Sequence, residues 1–378
     1  MIPLGLSASD LAALNTALAT HHQMKVTVQT LTLAGAYESD LSALLVDGQV
    51  NVDYTAVVTR TATVTLLDPA RTLVFDSDSP ADSALFLDRM LRINYSVLVN
   101  GAWVAIPIFT GPISKLDRAG DTVVAEAQGK EWLAMGACWR PYTLRKGILS
   151  TAAIRAVLTD RAGETSFNVP DLPTRLPRSI SLGRESAPWD TARAIARSLN
   201  RQLFYDGRGT CRLRTFPGTP LFTYSPSMMV GRLLISYGGD TINAVWVKGA
   251  TPRGSKSPVG YAAIAPTTHP LSPQRLGRAG SPRYLLSVVE DETIRSISQA
   301  KAIAVRSLNA SLLQSVSVTF DALPIPHLEP GDVVLANATE GAVTFSLSTY
   351  SLPLTTSQPM TVGYLRNVSV RNRTRANL

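Results

Sequence analysis

Histidine and cysteine are scarce in this chain, with four His and two Cys among 378 residues. Cys138 and Cys211 show no metal-type spacing, so the expectation is two reduced thiols in a protein made in the cytosol. His21 and His22 fall where an N-terminal helix should end, a place that suits a cation. His269 precedes a proline and His327 lies between prolines in PIPHLEPGD; neither has Cys, Asp or Glu at a ligand-like spacing. HExxH, GxSxG, the Walker A loop and GxGxxG are all absent. Gly207-Arg208-Gly209 reads as a hairpin turn and not a phosphate cradle. The stretch DSDSPAD around Asp76 and Asp78 lacks the glycine and closing glutamate of an EF-hand, and reads as a solvated turn. No catalytic residue, cofactor or metal is expected. A carboxylate pair of glycosidase type is the one chemistry a motif search leaves open.

Long apolar runs are missing too. None approaches the ~20 residues a membrane helix needs. The start, MIPLGLSASD, has no basic region followed by an apolar one, so neither a signal peptide nor stable membrane association is expected. Charged residues make up only 17% of the chain. With Thr and Ser plentiful, this favours β-rich proteins and proteins that bury surface in assemblies. The net charge of +8 is unevenly spread. Residues 1–137 hold 8 Lys/Arg against 14 Asp/Glu, residues 138–215 hold 14 against 6, and residues 241–289 hold 6 against none. A uniformly basic surface would suggest nucleic-acid binding. This split suggests faces that meet different neighbours.

What the chain does have is alternation. In GQVNVDYTAVVTRTATVTLLDP (48–69), Val50, Val52 and Tyr54 alternate with Asn51, Asp53 and Thr55. Thr61, Thr63 and Thr65 then alternate with Ala62, Val64 and Leu66. This is strand patterning, either as two strands joined near 56–58 or as one long curved strand. One face is to be buried; the other is free for water, a lumen or a partner. Strand signals also cover Lys25–Thr32 and the run after Arg89, where Asn100-Gly101 marks a hairpin. Gly111-Pro112 reads as a break. Residues 25–130 therefore read as antiparallel strands of a barrel or sandwich.

Helices frame this β region. Ser7 or Ser9 can cap one running to about Thr20, with Leu11, Leu14 and Leu18 on one face. Two more are expected at Ala152–Arg161 and 188–200, the second opened by Pro188. A hairpin in QLFYDGRGTCRLRTF follows, completing a small α+β module. Strands resume at Leu233–Tyr237 and Ala244–Gly249. Residues 250–283, with six prolines, read as a long loop. A helix is expected over Thr293–Asn309 with Ile294, Ile297, Ala300, Ile303, Ala304 and Leu308 inward. Strands at Gln314–Phe320, Asp332–Ala336 and Gly363–Val370 close the chain.

The order of these parts resembles the central baseplate hub proteins of tailed bacteriophages: the late-control D-type tail proteins, the base of type VI secretion spikes and related actinobacteriophage minor tail proteins. Three pieces carry the resemblance: GQVNVDYTAVVTRTATVTLLDP; PWDTARAIARSLNRQLFYDGRGTCRLR; and the late helix followed by QSVSVTF, LEPGDVVL and GYLRNVSVRNR. Residues 339–360 and the basic loop 250–283 are longer than the family pattern. The resemblance implies a mainly β fold with an α+β insertion: two tube-like antiparallel β-barrel domains flanking a small α+β domain. The implied division is an N-terminal helix (1–24), a first barrel (25–137), the insertion (138–218) and a second barrel (219–378) that carries the basic loop. It implies a homotrimer whose pseudo-sixfold ring joins a sixfold tail tube to a threefold tip and lines the DNA ejection channel. Implied partners are the tail tube or a distal tail protein ring, the tape measure protein, tip, fibre or spike proteins, and genomic DNA in passage. The implied place is the virion, assembled in the host cytoplasm. A hexameric distal tail protein, or a tail protein that binds or hydrolyses host carbohydrate, are the alternatives. Arg253, Lys256, Arg275, Arg278 and Arg283 are expected to make protein–protein contacts, because a basic segment without acids selects an acidic neighbour. Acidic residues of the N-terminal part are expected to face the lumen more than its basic ones, since a basic lumen would hold phosphates.

Overall fold

The structure is a computed structural model that describes residues 1–20, 22–73, 83–136, 140–199, 201–237, 242–251, 257–290, 294, 296–313, 316–339, 341–356 and 358–365. The chain forms two compact units. One comprises Met1–Arg232 and Phe320–Gly363; the other comprises Leu233–Thr319 and the segment from Tyr364.

In the first unit, α1 (Ala8–Leu18) begins where Ser7 Oγ accepts the Asp10 amide at 3.1 Å. Leu14 and Leu18 are fully buried, as their spacing requires. Seven strands follow: β1 (Met24–Thr32), β2 (Tyr37–Asp40), β3 (Leu45–Asp53), β4 (Arg60–Leu67), β5 (Arg89–Val99), β6 (Ala102–Ala119) and β7 (Thr122–Gln128). The 48–69 ribbon resolves into two strands, β3 and β4, paired antiparallel with Val50 opposite Ala62 and Val52 opposite Arg60. Asn100 and Gly101 both have positive φ (50° and 81°), the geometry a two-residue hairpin needs. Gly111-Pro112 does not end β6. It marks where the strand changes partner, from β5 up to Pro112 to β7 from Ile113. A Cβ on Gly111 would meet the Gln128 carbonyl oxygen at 1.9 Å, so only glycine permits that approach.

A separate apolar cluster forms around two helices, α2 (Ser150–Ala162) and α3 (Pro188–Ser198). Short strands β8 (Tyr142–Leu144), β9 (Phe167–Asn168) and β10 (Ile180–Leu182) border it, and β11 (Gln202–Tyr205) pairs with β12 (Cys211–Arg214) as the expected hairpin. Trp189 is fully buried at its centre, 5.4 Å from the Tyr205 ring. Beyond it lie β13 (Phe222–Tyr224) and β14 (Met229–Tyr237), along which the chain leaves the unit.

The second unit contains β15 (Ala244–Lys248), β16 (Gly260–Ile264), α4 (Pro273–Leu276), β17 (Leu286–Glu290) and α5 (Ile297–Leu313). The strands form one sheet, ordered β16-β15-β17. The segment 250–283 is therefore not simply a loop. GYAAI makes a strand because Val245 and Val247 on β15 and Ala263 on β16 share a core with Ala300, Ala304 and Leu308 of α5. The run between Pro258 and Pro266 is short and almost wholly apolar, so no period shows in it. Helix α5 starts later than expected, at Ile297, capped by Ser296, whose Oγ accepts the Gln299 amide at 3.3 Å. Ile297 lies in its first turn and is exposed, not inward.

The chain returns along β18 (Val316–Ala322) to β19 (Val333–Ala338), β20 (Gly341–Ser346), β21 (Thr349–Pro353) and β22 (Met360–Leu365). Residues 339–360 thus hold two whole strands, β20 and β21. β21 pairs with β3, Ser351 opposite Asn51, so the end of the chain extends the sheet begun near its start. The result is an 11-stranded sheet, ordered β14-β18-β22-β21-β3-β4-β7-β6-β5-β1-β2.

Candidate functional site

The middle of the large sheet presents two contrasting faces, both on the first unit. Val50, Val52, Ala62, Val64, Leu66, Ala125 and Ala127 are all buried on one side. On the other side the strand pairings align Thr361, Ser351, Asn51, Thr61 and Gln128 across five strands, from β22 to β7. The next row sets Gln49, Thr63, Glu126 and Lys115 side by side. Lys115 bridges Asp117 and Glu126, which holds its ammonium proton more firmly than usual. This outer wall is made of hydroxyls and amides. Across its central strands, its few charges lean acidic through Asp53, Asp117 and Glu126.

A buried polar clamp holds the wall from behind. Arg60, 3% exposed at the start of β4, donates to Glu329 at 2.9 Å, to the Ile108 carbonyl at 3.1 Å and to the Tyr350 hydroxyl at 3.3 Å. Tyr350 in turn donates to the Leu328 carbonyl at 2.7 Å. The Pro330-Gly331-Asp332 turn is gripped from the other side. Arg214 donates to Asp332 at 2.8 Å and to the Pro330 carbonyl at 2.7 Å, and Gln202 reaches the same carbonyl at 2.7 Å. Gly331 has φ +82°, so the turn needs its glycine. Strands from both ends of the chain and the α2/α3 module thus meet in one network. Burial raises the Glu329 carboxyl above its usual range, and Arg60 opposes that shift. Glu131, fully buried, is likewise raised by burial and accepts the long amide contacts of Thr59 and Tyr205, both 3.4 Å, which oppose that shift. His327 is buried against the Phe222 ring, and burial pushes it down to about 4.

The Gly207-Arg208-Gly209 turn joins β11 to β12 and packs on β6. Asp206 accepts the Arg208 and Thr210 amides, and a Cβ on Gly207 would meet the Pro107 carbonyl oxygen at 2.1 Å. Of the five basic contact residues expected from sequence, Arg253 and Lys256 lie outside the described residues, as do Cys138, Asp76, Asp78 and His21. Arg275, Arg278 and Arg283 are exposed on the second unit, at α4 and the turn after it. The Arg283 amide donates to the Pro273 carbonyl at 2.9 Å, which ties the three into one short folded stretch. On the sheet of the same unit, Trp246, Ile264, Leu286 and Val288 are exposed on the face turned away from α5. The sequence shows their alternation but not that this face stays bare. No group of three or more His, Cys, Asp or Glu side chains that could hold a metal occurs among the described residues. No described helix is long and apolar enough to cross a membrane.

No protein-family model matches the chain, and no curated protein does. Solved structures do. The 43 kDa tail protein of prophage MuSo2 from Shewanella oneidensis superposes with a TM-score of 0.62 at 9% identity, over 91% of this chain and 98% of that one. The tail protein from Neisseria meningitidis MC58 superposes with a TM-score of 0.55 at 12% identity, over 91% and 97%. The chain has the mainly β fold of these phage tail proteins, shared nearly end to end.

Proposed function

We propose that the protein is a structural component of a phage tail, the hub of its baseplate or tail tip. The observation that carries this reading is the fold, shared over nearly the whole of both chains with a prophage tail protein. In the finer reading three copies form a pseudo-sixfold ring, to which residues 25–137 and 219–378 of each copy contribute strands of tube-like barrels. The ring joins the sixfold tail tube, or a distal tail protein ring, to the threefold tip, and borders the tape measure protein. It is a virion protein, assembled in the host cytoplasm, and works without cofactor or catalysis.

Two features support the ring. A sheet of 11 strands exceeds the ~10 beyond which twisted open sheets curl or split, and among the described residues it ends on two strands, β2 and β14, with one unpaired side each. Neighbouring copies can cover those edges. The hydroxyl and amide wall suits a channel for DNA, because it offers little positive charge to release counterions from phosphate. Mass photometry and cryo-electron microscopy of the assembled protein test the proposal. Three copies around a channel walled by the Thr61 and Thr63 face are expected. Six identical copies would favour a distal tail protein, and release of cell-wall fragments by purified protein would favour a hydrolase.

A further inference from the structure

Helix α3 displays a feature that the ring does not use. Arg193 and Arg197 stand one turn apart on it, and Arg201 follows just past its end. All three line one cleft of about 180 Å³, closed on the other side by Tyr54, Thr55 and Thr59. The cleft is built rather than incidental. Trp189 of α3 donates to the Val57 carbonyl at 3.1 Å, and the Tyr54 amide donates to the Ser348 carbonyl at 2.7 Å, so both walls are anchored. The Tyr54 ring is braced edge-on by Phe216 at 6.2 Å.

Among the described residues, none of the three guanidinium groups has a hydrogen bond or an ion pair within the chain. Asp190 and the buried Glu131 act on Arg193 only through space. Partial burial and the neighbouring Arg197 make the Arg193 proton less firmly held than usual. Like charges crowded into a half-enclosed cleft cost free energy that an anion would recover. Arginine matches carboxylates in bidentate geometry. Arginine beside tyrosine is also the composition of interface hot spots.

We propose that this cleft receives carboxylate side chains of an acidic protein segment on a neighbouring tail component. The volume fits one or two side chains. Duplex DNA presents its phosphates on a broad convex surface and cannot follow Arg193 into the cleft. A polypeptide can insert single carboxylates while its backbone stays outside.

Fluorescence anisotropy with labelled hexaglutamate peptide tests this, with inorganic phosphate and a short DNA duplex as competitors. The wild-type protein is expected to bind the peptide. Arg193→Gln/Arg197→Gln should bind at least tenfold more weakly, and Arg197→Gln alone, at an exposed position, should show a smaller loss with an unchanged melting temperature. Binding should weaken as salt rises. Peptide binding equal in wild type and variants would overturn the proposal. So would displacement of the peptide by duplex DNA at lower concentration than by unlabelled peptide. The inference stands whether or not the subunits form a ring, so its failure and that of the hub reading are separable by the copy number above.

Discussion

At the scale of the residue, the clamp on Arg60 decides how the first unit holds together. A buried ion pair is weak evidence for stability as such, because desolvation offsets most of its attraction. Breaking it from one side is different, since a charge is left buried and alone. Arg60→Met should destabilise the protein by about 3–5 kcal/mol, while Arg60→Met with Glu329→Leu should recover most of that. Denaturant unfolding of both variants checks this. His327 sets an acid limit. Its folded pKa, about 4, lies below the ordinary 6.5. Above 6.5 the ring is neutral in both folded and unfolded chains. As pH falls from 6.5 towards 4 the unfolded chain takes up a proton that the folded one refuses, so stability is lost across that window. The loss amounts to about 3 kcal/mol, and His327→Phe should remove it from a pH series of melting curves.

At the scale of the element, the β3–β4 hairpin shows how register separates two roles in one stretch. Val64 faces the core and Thr63 the outer wall, one residue apart. Val64→Ala should cost about 2 kcal/mol from lost burial and the cavity left behind. Thr63→Lys should change stability by less than about 0.5 kcal/mol. If the proposed channel is right, however, lysine at 63 in every copy should slow DNA ejection, because the added charges hold phosphates. Urea midpoints and an ejection time course read the two effects separately.

At the scale of the whole molecule, the second unit carries an exposed apolar sheet face and three exposed arginines that no carboxylate pairs with among the described residues. Both are features of a surface that another protein covers. Removing 253–283 would delete β16 and the Ala263 packing, so it would unfold the unit instead of testing the surface. Charge reversal is the cleaner probe. Arg275→Glu/Arg278→Glu/Arg283→Glu should leave the melting temperature within a few degrees and lower tail incorporation, read by particle composition. Normal incorporation would remove these arginines from the contact.

Sequence by itself determined the elements whose cause is local. Alternation fixed the faces of β3 and β4, Ser7 placed α1, Asn100-Gly101 turned a hairpin, and Pro188 opened α3. Each is decided within a few residues by sterics, capping or period. The order of those elements also suffices to resemble a tail hub. Tertiary structure decided the rest. The pairing of β21 with β3 joins residues about 300 apart, and nothing in either strand names its partner, because any two alternating strands can form a ladder. β16 is hidden in the sequence because the seven residues between Pro258 and Pro266 carry too little period, and its strand state comes from the core it completes. The clamp and the arginine cleft are equally silent in one dimension. Arg60 and Glu329 lie 269 residues apart, and only the fold buries them together. Arg193 and Arg197 share a helix face by their spacing, but only the fold sets Tyr54 across the cleft from them.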